Sequence, residues 1–275
     1  MQLLNEQARP DESEIIFFDD FASDVLDRSK WNVEITGPVY NNEQQAYIDS
    51  AETIHTENTH AADGETNGVL VIQPRYCPGF VTPEGSTFDF TSGRINTLGK
   101  VEFTYGSIAA RMKLMAGPGL WPAFWAMGSS KPWPENGEID IMENVGDPLW
   151  TNVALHGPGY SGDTPLVNRK YLPQGNDATV WHVYSVDWTP DCLAFKTDGE
   201  LTYRVTRAMV EQFGPWTYDN SKFILLNCAL GGAYPVAVNG IKSPYLGMSE
   251  STVQLIRDEH AKVMIDWVRV TKAEN

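Results

Sequence analysis

The chain has 275 residues, 42% of them apolar, and a formal net charge of −16 at pH 7. That is enough apolar material for one large core, and an all-β sandwich of this length is commonly a single domain. Such an acidic balance argues against a nucleic-acid or anionic-membrane partner, either of which needs a basic patch, and favours a neutral substrate.

Residues 1–12 are polar and are expected to be loose. The first ten lack the basic and apolar stretches of a signal peptide, so either the protein stays inside a cell or its leader has been removed. Strands are predicted at residues 13–18 and 68–74. Ile108, Ala110, Met112 and Leu114 alternate with Ala109, Arg111 and Lys113, the period of a half-buried strand. Further strands are predicted at 181–188, 222–229 and 261–272. Leu193 and Phe195, then Leu201, Tyr203 and Val205, flank Asp198-Gly199, a type I′ hairpin signal. Gly-Pro-Gly at 117–119 and at 157–159 marks turns. Helical patterns are few: about two turns at 206–213 and a short helix within 251–263. No repeat, low-complexity tract or linker divides residues 13–275, which read as one domain. Many antiparallel strands with little helix predict an all-β fold of two packed sheets.

Cys77, Cys192 and Cys228 have no metal-ligand spacing, and their odd number leaves at least one free thiol or an intermolecular link. Cys228 lies in an apolar run and reads as a small buried hydrophobe. No run of 18 apolar residues is present, so no membrane-spanning helix is expected. Nine Trp, eleven Tyr and eleven Phe supply more ring surface than most cores use. A β-rich core accounts for more than half of them, and the rest suit the flat C–H faces of sugars.

Glu138-Ile139-Asp140-Ile141-Met142-Glu143 is the most informative segment. In a regular strand Glu138 and Asp140 share one face, with Ile139 and Ile141 on the other. Glu143 lies an odd number of positions after Glu138, so plain alternation sends it to the wrong face. One extra residue near Ile141-Met142, a β-bulge, brings it back and sets three carboxylates in a row. A calcium loop instead uses Gly and flexible polar spacers. Two such carboxylates can flank a glycosidic bond as acid and nucleophile.

Gly137 to Glu143 resembles the E-x-D-x-x-E signature of glycoside hydrolase family 16, in the bulged form typical of laminarinase-like members. Gly119-Leu120-Trp121-Pro122-Ala123-Phe124-Trp125 resembles the tryptophan-rich strand that precedes it. Asn41-Asn42-Glu43-Gln44-Gln45 and Ser92-Gly93-Arg94-Ile95 are similar to upstream substrate-contacting segments, and Asp266-Trp267-Val268-Arg269-Val270 to the closing strand. The resemblance implies a concanavalin A-like β-jelly roll of two curved antiparallel sheets with a glycan cleft. It implies retaining cleavage of internal β-linkages, with Glu138 as nucleophile, Glu143 as acid/base and Asp140 as their assistant. It points to an endo-β-1,3-glucanase acting outside the cell as a monomer. The alternatives are an enzyme for mixed-linkage glucan or an agar-type galactan, and a non-catalytic glucan-binding protein. It also implies a structural Ca²⁺ held by Asp266 with backbone oxygens near Asp20 and Gly68, and no cofactor for catalysis.

Each cleft candidate has a plainer reading beside it. Trp121 and Trp125, four apart, share a face; they and Trp133 either stack on sugar or fill core. Trp188 has the same two readings. Asn42, Glu43 and Arg94 grip sugar hydroxyls under the resemblance and are solvated surface groups without it. His156 either orients Asp140 and the sugar or is a satisfied structural histidine. Asn227 is polar within an apolar run and must find a partner, in sugar or in backbone.

Overall fold

The structure, a computed structural model, describes residues 14–36, 39–60 and 66–273. The segment 1–12 read as loose lies outside the described residues. The strands are β1 (Ile15–Asp19), β2 (Asn32–Val33), β3 (Gln45–Tyr47), β4 (Ile54–His60), β5 (Thr66–Ile72), β6 (Arg75–Val81), β7 (Thr87–Ser92), β8 (Arg94–Asn96) and β9 (Gly106–Lys113). They continue as β10 (Leu120–Gly128), β11 (Glu138–Glu143), β12 (Trp150–His156), β13 (Leu166–Tyr171), β14 (His182–Thr189), β15 (Cys192–Thr197), β16 (Glu200–Thr206), β17 (Lys222–Leu230) and β18 (Val263–Thr271). Three short helices complete the set: α1 (Arg207–Val210), α2 (Ala233–Asn239) and α3 (Glu250–Arg257).

The strands form the expected jelly-roll sandwich. A back sheet runs β16-β15-β14-β9-β18-β5-β4, with β1 also on β18; a front sheet runs β13-β12-β11-β10-β17-β8-β2. Both are antiparallel throughout. A small third sheet, β3-β7-β6, was not foreseen, and β3 runs parallel to β7 in it.

The core is the space between front and back. Phe124, Ile139, Met142, Ile224 and Leu226 from the front sheet meet Ile108, Met112, Val186, Trp188, Phe195 and Val268 from the back, all fully buried. Each such side chain contributes about 1.5–3 kcal/mol through the apolar area it removes from water. Trp188 therefore takes its plainer reading: it lies in the core and its Nε1 donates to the Tyr218 carbonyl at 2.9 Å. Cys228 is buried too, which pushes its thiol up to about 12, so it is inert as a nucleophile. All three cysteines are free thiols.

Asp198 and Gly199 have φ of 52° and 78°, as a type I′ turn requires, and join β15 to β16. Asp198 also reaches back to β14. His182, 1% exposed, places Nδ1 2.6 Å from Asp198 Oδ2 and Nε2 2.9 Å from the Asp177 carbonyl. Carbonyl and carboxylate oxygens only accept, so both ring nitrogens must carry protons. Burial opposes that charge, but the two hydrogen bonds outweigh it and raise the imidazole above 6.5. A raised histidine stabilises fully below its unfolded value, and the contribution is lost as pH rises through the folded value. Replacing His182 by Gln is expected to cost about 1–2 kcal/mol at pH 6, allowing for the half-exposed carboxylate, and clearly less at pH 9. Urea unfolding at both pH values reads this; an equal loss at both contradicts it.

Candidate active site

The acidic segment forms β11, and the bulge lies where parity required it. Phe124 and Trp125 of β10 are consecutive, yet they face Met142 and Asp140, which leaves Ile141 as the extra residue. Ile139, Ile141 and Met142 are buried in the core. The three carboxylates are thereby set on the outer face of the front sheet. Cross-strand pairing places His156 of β12 opposite Glu138, Ala154 opposite Asp140, and Asn152 opposite Glu143. On the other side stand Met127, Trp125 and Ala123 of β10.

Each terminal carboxylate has its own indole donor. Trp133 Nε1 donates to Glu138 Oε2 at 2.6 Å, and Trp121 Nε1 donates to Glu143 Oε1 at 3.0 Å. Asn152 also hydrogen-bonds Glu143, and Glu138 hydrogen-bonds Asp140. His156 Nε2 lies 3.2 Å from Asp140 Oδ2. Burial raises all three carboxyls. Glu138 is pushed up to about 8, by burial first and then by the charge of Asp140, with His156 and Trp133 working the other way. Burial and the charge of Glu143 raise Asp140 well above the usual range. Glu143 is raised by burial, against the hydrogen bond from Trp121. Like charges this close cannot all ionise, so the row holds protons at neutral pH. Glu138 and Asp140, bonded to one another, can share one; Glu143 can carry another.

Beside this row stands a polar frame. Trp125 Nε1 donates to Asn227 Oδ1 at 2.8 Å, and Asn227 Nδ2 donates to Tyr47 Oη at 3.2 Å. Asn227 thus takes side-chain partners in place of the backbone ones. Gln45 Nε2 donates to Glu43 Oε2 at 2.7 Å, and Glu43 is raised by burial. The Arg94 guanidinium lies 4.8 Å from the Trp125 ring centroid and pairs with Glu34 at 2.8 Å. Glu43 and Arg94 are therefore partly buried members of this frame rather than solvated surface groups. Asn42 is exposed, with φ of 53°, at the turn before Glu43. Trp121 and Trp125 share the outer face and are half-buried; Trp133 is 46% exposed.

The family pattern described as Glycosyl hydrolases family 16 matches residues 39–227. The chain belongs to glycosyl hydrolases family 16. It is 31% identical over 232 residues to a beta-glucanase of Rhodothermus marinus, covering 80% of this chain and 77% of that one. The laminarinase catalytic domain of Thermotoga maritima superposes with a TM-score of 0.79 at 33% identity, covering 95% of this chain and 99% of that one. An endo-beta-1,3-glucanase of Pyrococcus furiosus gives 0.79 and 33% over 94% of each chain.

Several residues of this family 16 site were missed from sequence. Lys222 is fully buried, and its Nζ donates to the carbonyls of Asn136 at 2.7 Å and Thr217 at 3.2 Å. It anchors the turn that carries Trp133 and leads into Glu138. Gly137 in that turn has φ of 69°, and a Cβ there would lie 2.4 Å from the Thr217 oxygen. On α2, Tyr234 packs edge-on against Trp121, with ring centroids 5.3 Å apart, and bonds Arg169. Arg169 stands opposite Asn152 and lies over the Trp150 ring at 3.7 Å. A lysine heading an apolar strand was the one signal that a buried charge needed partners.

The residues that the resemblance implies for calcium offer one side-chain carboxylate and nearby backbone oxygens. Asp266 is buried at a bulge of β18, and its Oδ2 accepts from Arg111 Nη1 at 2.6 Å, leaving Oδ1. Ile265 pairs with Leu70, so Asp266 lies near Gly68 of β5. A Cβ on Gly68 would sit 1.6 Å from the Phe21 oxygen. The Asp20 side chain is turned to the Ala22 amide at 3.3 Å. One carboxylate oxygen with nearby backbone oxygens fits a hard cation that keeps several waters.

Proposed function

We propose that this chain is a retaining endo-β-1,3-glucanase acting on laminarin-type β-glucans. The observation that carries the reading is the row Glu138, Asp140, Glu143, with a separate indole N–H on each end carboxylate. Glu138, once its shared proton rests on Asp140, attacks the anomeric carbon. Glu143 protonates the leaving oxygen, then takes a proton from the incoming water. His156 and Trp133 fix and partly neutralise the nucleophile's side of the row. Trp121, Trp125 and Trp133 offer ring faces or indole N–H groups to the sugar, while Asn42, Glu43, Arg94 and Asn227 offer polar contacts. The 31–33% identical relatives are described as glucanases and laminarinases, which supports the substrate class. We place the enzyme outside the cell, since a glucan polymer does not cross a membrane, and propose that it acts as a monomer.

Initial rates on laminarin, lichenan, agarose and carrageenan, read by reducing ends and viscosity, test this. Laminarin is expected to be cut fastest, with viscosity falling before much sugar is released. Faster cutting of lichenan or agarose would shift the substrate to mixed-linkage glucan or galactan. Monosaccharide alone from the first minutes would make the action exo.

We also propose that Ca²⁺ stabilises the fold at Asp266, Phe21 and Gly68, away from catalysis. Chelation is expected to lower Tm in the wild type and to leave Asp266→Asn unchanged. A wild-type Tm unaffected by chelation contradicts this.

A further inference from the structure

We propose that Glu138, Asp140 and His156 form a reversible, inhibitory site for a borderline-soft divalent cation such as Zn²⁺. Its inhibitory consequence rests on the function proposed above, whereas its binding rests on geometry alone.

Each of the three side chains offers one ligand atom, and these atoms lie within 4.8 Å of one another. Among the described residues, no other group of three His, Cys, Asp or Glu side chains comes as close. Asp140 Oδ2 and His156 Nε2 are 3.2 Å apart. Zinc bonds of 2.0–2.2 Å in a tetrahedron set neighbouring ligand atoms about 3.3–3.6 Å apart. That pair is therefore already near the spacing a tetrahedral ion needs, and a rotation of the longer Glu138 side chain supplies the third ligand.

A second observation points the same way. Asp140 is 3% exposed, and its Oδ2 accepts no hydrogen bond. A buried carboxylate oxygen left without a donor is costly, and it faces the imidazole. A dication between two carboxylates would remove both that deficit and their repulsion. The donor set also selects the metal. One nitrogen and two oxygens are too few and too soft for Ca²⁺ or Mg²⁺, which take six or more oxygens. Three protein ligands with one position open toward the cleft is a common zinc arrangement. Trp133 donates to Glu138 Oε2 at 2.6 Å, and the proton shared in the Glu138–Asp140 hydrogen bond would leave as the dication takes its place between the two carboxylates. A bound ion would occupy the nucleophile and exclude the sugar.

Binding is measured by titration calorimetry with Zn²⁺ on the whole chain carrying Cys77→Ser, which removes the exposed thiol, with Ca²⁺ present throughout. Co²⁺ serves as a spectroscopic probe. The expected results are one Zn²⁺ per chain, visible bands of four-coordinate cobalt, and weaker apparent binding when a laminari-oligosaccharide is added. Asp140→Asn and His156→Gln, each checked for unchanged fold by circular dichroism, should weaken binding on the order of 10- to 100-fold or more. Activity should return on removal of Zn²⁺. Unchanged affinity in both variants, or no binding heat and no cobalt bands, would overturn the site. An enzyme inactive on every glucan yet binding Zn²⁺ through these residues would overturn the proposed function and leave the site standing.

Discussion

Glu138→Gly is expected to abolish hydrolysis of laminarin, by on the order of 10⁴-fold or more, and to create a synthase. The variant loses the nucleophile and keeps Glu143 with its Trp121 donor, since that hydrogen bond is made from β10. The space left by the side chain accommodates an α-glycosyl fluoride, which has the configuration of the missing covalent intermediate. Fluoride leaves without protonation. Glu143 then acts only as base, drawing a proton from an acceptor sugar and forming a β-linkage. The product cannot be cleaved again, so oligosaccharides accumulate. Mass spectrometry of the donor and acceptor mixture reads the outcome. Normal hydrolysis by Glu138→Gly would show that another group attacks.

Parity in the acidic segment made the site legible. An odd spacing between Glu138 and Glu143, with three apolar spacers, demanded a bulge, and Ile141 supplies it. The Asp198-Gly199 turn was legible because few residues adopt two successive positive φ values. The helix predicted within 251–263 appears as α3, starting earlier, because Ser249 Oγ accepts from the Thr252 amide. The helix predicted at 206–213 is shorter, ending in α1 as the chain closes into a turn toward Gly214. Partners set by topology were not legible. Asn227 meets Tyr47 across 180 positions, a contact that exists only because β17 and the small sheet adjoin the same cleft. The helix α2 was missed because Ala-Tyr-Pro-Val after two glycines carries strand and turn signals; it lies between Gly232 and Gly240, both at positive φ, and packs Tyr234 against Trp121. Lys222 was missed as a positioning charge because one of its acceptors, the Asn136 carbonyl, lies 86 positions away and only the fold brings it close.

Glu143→Ala should fail differently. Loss of general acid and base help is expected to lower laminarin turnover by about 10²–10⁴-fold. A substrate with a good leaving group, such as a dinitrophenyl laminari-oligosaccharide, needs no acid for the first step. It should give a rapid burst and then stall as the glycosyl-enzyme on Glu138. Azide, which needs no base, should release the stalled enzyme as a β-glycosyl azide and restore turnover. Removing Trp121, by Trp121→Phe, leaves Glu143 in place without its indole donor. The Glu143 carboxyl should then titrate higher. An α-glycosyl azide from Glu143→Ala would reverse the two roles.

Both experiments assume double displacement with Glu138 and Glu143 on opposite faces of the anomeric centre. The most direct measurement is proton NMR of the wild-type enzyme during the first minutes of laminari-oligosaccharide hydrolysis, before the products mutarotate. Two inversions predict the β-anomer at the new reducing end, followed by slow appearance of the α-anomer. An α-anomer first would mean a single displacement by water, and would contradict the assignment of Glu138 as nucleophile.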